Sequence, residues 1–72
     1  MNEHFFSDDE IAVDPILVFF DFEHLPEHLQ NISIVFAAAV TRLLGNLPRS
    51  AERTMAFRKL LEAKDCAVRA AL

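Results

Sequence analysis

Two long stretches of this chain carry apolar residues at helical spacing. Along the first, Leu29, Ile32, Phe36, Val40, Leu43 and Leu47 recur every three or four residues. This predicts a helix from Pro26 to Leu44 that turns one face to a partner helix. Pro26 suits the first turn, Glu27 complements the positive end of the helix dipole, and Gly45 or Asn46 supplies the stop. The second stretch, Leu47–Leu72, has no Gly or Pro after Pro48, and Ser50 is placed to cap its start. Thr54, Arg58, Glu62, Asp65 and Arg69 share a polar face, with Arg58–Glu62 and Asp65–Arg69 as opposite charges four apart. Ala56, Phe57, Leu60, Ala63, Ala67, Ala70 and Ala71 form the other side, and so many alanines imply close approach of another backbone. Lys64 falls inside this apolar arc and Arg53 at its N-terminal edge, both unusual places for a cation.

Ahead of these helices the pattern changes. Met1–Phe6 reads as a loose end from which Phe5 and Phe6 are able to dock. Ser7-Asp8-Asp9-Glu10 fits a capping box and predicts a short helix through Val13. Asp14-Pro15 marks a break. Ile16–Phe22 is β-branched and aromatic, which predicts an extended run with Phe20 and Phe22 on one side and Phe19 and Asp21 on the other. A lone strand is not stable, so it should lie along a helix or pair with a neighbouring subunit. The expected fold is all-α: an antiparallel helical hairpin closed by the short Gly45–Ser50 link, with a short N-terminal helix or extended aromatic segment before it. One domain spans 1–72, divided into an acidic segment 1–15 and the aromatic segment with its hairpin, 16–72.

Size and composition sharpen the expectation of self-association. A 72-residue chain with one cysteine has no disulfide to support its core. Yet 53% of its residues are hydrophobic, and Ile34, Val35 and Ala38 face away from the helix partner. A homo-oligomer follows. Cys66 suits a reducing compartment and a small core position. The acidic start does not resemble a signal peptide, and the longest apolar run, Ile32–Val40, is too short to span a bilayer. The net charge of −4 hides an asymmetry, because all seven Lys and Arg lie at or after Arg42 and eight of the eleven acidic residues at or before Glu27. That is too little positive charge for a general DNA binder, but enough for a compact anion. Mutual attraction of the two halves, within or between subunits, explains it equally well.

Few residues carry chemistry. His24 and His28 are four apart beside Glu23 and Glu27, but Pro26 separates them and no third ligand is evident, so no metal is expected. No nucleophile elbow or phosphate loop is present, Gly45 being the single glycine, so neither an enzyme nor a cofactor is expected. Arg49, Arg53 and Thr54 gather where the second helix begins, where unpaired N–H groups and forked donors suit a phosphate. The competing reading has Arg49 solvated and Arg53 bridged to Glu52 or to an acidic N-terminal residue of another subunit. Most of the phenylalanines are expected to cover the helices, though an aromatic ring also stacks on a base.

The aromatic segment, the Leu-Pro-x-Ser break and the run Glu52-Arg53-Thr54-Met55-Ala56-Phe57-Arg58-Lys59-Leu60-Leu61-Glu62-Ala63-Lys64-Asp65 resemble the helical-hairpin domain of bacteriophage anti-CBASS sponge proteins. The resemblance covers roughly 18–72. It implies a non-enzymatic oligomer, typically a hexamer, that binds cyclic oligonucleotide messengers at subunit interfaces, without cleaving them, in the cytoplasm of the infected bacterial host. Related sponges capture cyclic ADP-ribose-type signals. The family's Arg and Ser/Thr match Arg53 and Thr54, implying phosphate contacts that Arg49 assists. Its Phe-x-Tyr matches Phe20-Asp21-Phe22, so Phe22 keeps the stacking face without the hydroxyl. The first helix has no basic residue before Arg42, where some members carry one. The alternative, from a different class, is a helical-hairpin module that acts only through protein–protein contacts.

Overall fold

The computed structural model describes residues 4–72, and among them every regular element is helical. Helix α1 spans Asp8–Val13, a 3₁₀ segment spans Pro15–Phe20, α2 spans Glu27–Asn46 and α3 spans Ala51–Ala70. Both arms of the expected capping box are made: Glu10 N donates to Ser7 Oγ at 3.1 Å, and Ser7 N donates to Glu10 Oε1 at 2.9 Å. Ser50 caps α3 by accepting from Arg53 N at 3.1 Å.

The aromatic run is not extended. Pro15 fixes φ at a helical value and stands first in the 3₁₀ segment. Leu17 N donates to Asp14 O at 3.0 Å and Asp21 N to Val18 O at 3.3 Å. No strand lies alongside among the described residues, so a strand here would have left its backbone unpaired, whereas 3₁₀ turns satisfy it locally. The period becomes three, and Leu17 and Phe20 are both fully buried. Phe19 points outward at 61% exposure, while Phe22, beyond the segment, is buried.

The end of α2 also differs from expectation. The helix runs through Gly45 and Asn46, and no described residue has positive φ. Pro48 sets the stop: a residue before proline is driven out of the helical region, and Leu47 sits at φ −119°, ψ 132°. Leu47 is therefore a half-exposed cap rather than part of the packing face. At the other end Pro26 is the residue before α2, not its first turn.

Phe6, Leu17, Phe20, Val40 and Phe57 make the core, flanked by Ile11, Ile16, Phe36, Leu43, Leu44, Leu60 and Leu61. Phe6 is thus docked, while Met1–Glu3 lie outside the described residues. Leu29, Ser33, Ala37 and Val40 line the buried side of α2, with Ile32, Phe36 and Leu43 at its margins. Ile34, Val35 and Ala38 are exposed. On α3 the inward stripe is Arg53, Ala56, Phe57, Leu60, Leu61, Lys64, Ala67 and Ala71, close to the expected arc with both of its cations; Ala63 and Ala70 are the members of that arc that face outward, as does Cys66. Cys66 is therefore not a core residue, because the aromatic N-terminal segment packs on the Phe57 side and leaves nothing over position 66. The polar pairs shift as well: Glu62 meets Lys59 at 3.7 Å, Asp65 meets Lys64 at 3.8 Å, and Arg69 lies 3.4 Å from Cys66 Sγ.

Arg53 and Lys64, the two misplaced cations, fasten the N-terminal segment to α3. Lys64 Nζ donates to Phe19 O at 2.9 Å. Arg53 Nη2 reaches Asp14 Oδ2 at 2.5 Å, with the side chains 8% and 5% exposed. His4 pairs with Asp21, whose other oxygen accepts Phe5 N at 3.0 Å.

Candidate anion-binding site

Arg49 stands just before α3 and Arg53, Thr54 and Arg58 follow within its first eight residues, and the fold divides them. Arg49, Thr54 and Arg58 line an open cleft of about 320 Å³, walled on the other side by Val13, Asp14, Pro15 and Ile16. Arg53 lines a neighbouring cleft of about 280 Å³ with Asp9, Glu10, Val13, Asp14 and Leu44. Val13 and Asp14 belong to both walls, so the corner between α1 and the 3₁₀ segment is the partition.

In the first cleft, among the described residues, neither Arg49 nor Arg58 has an ion-pair partner, and both are exposed. Thr54 Oγ1 donates to Ser50 O at 3.2 Å, which leaves its lone pairs turned away from that bond. Ala51 and Glu52 open α3, where N–H groups have no intrahelical acceptor. Two guanidinium groups, a hydroxyl and a helix start make this the electropositive side of the corner. Glu52 carries the opposing charge of the same turn.

Arg53 is differently employed. Nη1 donates to Leu47 O at 3.0 Å, Nη2 to Asp14, and the guanidinium carbon stands 5.5 Å from the centroid of the Phe57 ring. Nε is buried with no hydrogen-bond partner among the described residues. Its acidic partner is on its own chain, not Glu52 or another subunit. Phe22 lines neither cleft; it is 7% exposed, and the Phe5 ring lies across it at 5.2 Å. The chain therefore brings Arg49 and Thr54 together, holds Arg53 behind a partition, and keeps Phe22 apart. Sequence reasoning passed over Arg58, assigning it to Glu62. Its signal was available, since 54 and 58 are one helical turn apart on the same face. His24 and His28 are exposed, before and within the first turn of α2.

Comparisons of the chain with family models, with curated proteins and with solved structures found no match. No described helix is long and apolar enough to cross a membrane.

Proposed function

We propose that this protein is a phage anti-defence sponge: an oligomeric helical hairpin that holds a cyclic oligonucleotide in the host cytoplasm without cleaving it. The supporting observation is the cleft at the start of α3, where Arg49, Thr54 and Arg58 stand together with no carboxylate among the described residues pairing either arginine. A phosphodiester suits that set, since forked donors and a hydroxyl match its oxygens. The resemblance over 18–72 supplies the cyclic class of ligand. In this reading Phe22 of a neighbouring copy stacks on a base after Phe5 swings aside, and the hexameric arrangement of the family supplies that neighbour.

A second reading, assembly through protein–protein contacts alone, is favoured by the bare apolar face. Val35 and Phe19 are each 61% exposed, and Ile34 is half exposed beside Val35. A thermal-shift screen across cyclic di- and trinucleotides separates the two. Calorimetry with the best ligand then tests the cleft: Arg49→Ala and Arg58→Ala should each weaken binding by roughly tenfold to a hundredfold, since charged hydrogen bonds are worth about 1.5–3 kcal/mol. Unchanged affinity in both variants overturns the assignment.

A further inference from the structure

We propose that Asp14 is a stand-in for a ligand phosphate. Its carboxylate occupies the Arg53 guanidinium, and an arriving anion displaces it, joining the two clefts into one site that gains Arg53. This rests on the reading of the α3 start as a phosphate site and adds the device that holds that site partly closed.

The partition is the first argument. The α1–3₁₀ corner stands between Arg53 and the cleft of Arg49, Thr54 and Arg58, because Val13 and Asp14 line both clefts. Arg53 and Thr54 are consecutive on α3, so their side chains diverge by about 100° and flank the corner from its two sides.

Incomplete satisfaction of Arg53 is the second, independent argument. The carboxylate engages it through one terminal nitrogen, although the guanidinium fork is able to donate two parallel bonds. Its Nε–H, on a side chain more than nine-tenths buried, has no partner among the described residues. Of the Arg53 nitrogens, Nη1 is thus met by Leu47 O and Nη2 by one Asp14 oxygen, and Nε is met by neither. A phosphodiester brings the same single charge as the Asp14 carboxylate, but its two free oxygens are able to take up the planar fork and meet Nε–H as well as Nη2. The exchange also never leaves the buried cation unpaired, which is the costly step when such a pair is simply broken.

The element that must move is the one least held. Helix α1 has six residues and no buried side chain. Asp14 terminates it, with Asp14 N donating to Glu10 O at 2.9 Å. Asp14 itself is 5% exposed at its side chain, so its carboxylate reaches solvent only if the corner lifts. Asp9 and Glu10 face the Arg53 cleft from α1, and an anion entering there repels them outward. Entry of the ligand and release of α1 are therefore one event, drawn from the low-stability end of the fold.

Binding to a site that is mostly closed is weakened by the fraction that is open. Pyrophosphate is the probe, titrated by calorimetry into the full chain, Asp14→Asn and Arg49→Ala. Asp14→Asn keeps the shape and removes the competing charge, so it should bind pyrophosphate about tenfold tighter or better. In the wild type, hydrogen exchange at Ile11 and Asp14 should accelerate when pyrophosphate is bound. Equal affinity of wild type and Asp14→Asn, with Arg49→Ala weaker, overturns the stand-in while the phosphate site survives. Absence of binding in both overturns the stand-in and the site together. Should Asp14→Asn fail to fold, exchange in the wild type decides alone: unchanged or slower exchange in α1 on binding contradicts the proposal.

Discussion

Removing Arg53 should nearly unfold this protein, and the reason lies in the company it keeps. Arg53→Ala breaks the bonds to Asp14 and to Leu47 O and leaves the Asp14 carboxylate buried without a counter-charge. Breaking a buried pair from one side costs about 3–5 kcal/mol. A chain of this size has in all roughly 4–11 kcal/mol, at about 0.05–0.15 kcal/mol per residue. The single variant should therefore lose between about a quarter and all of its stability. Replacing both partners with apolar residues, Asp14→Leu with Arg53→Met, should recover most of the loss, because no charge is then stranded. Urea unfolding followed by far-UV circular dichroism reads both variants against the wild type. The reasoning fails if Arg53→Ala costs less than about 1 kcal/mol, the range of an exposed pair. It fails equally if the double variant is as unstable as the single. A corollary concerns binding studies: an Arg53→Ala protein that binds nothing is uninformative until its folding has been checked, which is why Arg49 and Arg58 are the cleaner probes.

Gly45→Ala should raise stability by about 0.5–1 kcal/mol, because Gly45 is inside α2 with right-handed backbone and nothing near its missing Cβ; a loss would mean that α2 ends there after all. Ser33→Ala should also stabilise, by about 1 kcal/mol, since Ser33 Oγ is buried without a partner; destabilisation in urea titrations would show that the hydroxyl has one. Ser50→Ala should cost about 1 kcal/mol through loss of the α3 cap, read in the same assay, and no change would mean the cap is not formed in solution. Val35→Glu should leave the monomer fold intact and lower the mass seen by light scattering; an unchanged oligomer would place the interface elsewhere on the surface.

Local chemistry was readable in this chain wherever one or two residues decide the outcome. The Ser7 and Ser50 caps, the Asp14-Pro15 break and the bare Ile34/Val35/Ala38 side all follow from side chains acting on their own neighbours. The aromatic run misleads because composition there favours a strand, whereas the absence of a strand partner decides against one. The outward position of Ala63 and Ala70 on α3 has a related cause. Alanines are as acceptable outside as inside, so they carry little information about direction, while Arg53 and Lys64 were the informative residues. Their position in an apolar arc was visible; that they grip Asp14 and the Phe19 carbonyl depends on where the chain returns, which spacing does not encode. Arg49 and Thr54 were found by their place at a helix start. Arg58 was missed because an i,i+4 carboxylate offered it a simpler role.

The central claim is capture of a cyclic oligonucleotide without turnover. The direct measurement is to incubate the protein with cyclic di- and trinucleotides, remove unbound ligand by gel filtration, denature the protein by heat and identify what is released by chromatography. The account predicts one cyclic species recovered intact, in an amount that falls in Arg49→Ala and Arg58→Ala. Recovery of a linear or otherwise altered nucleotide, or of no nucleotide from a folded protein with any of the cyclic ligands, would contradict it.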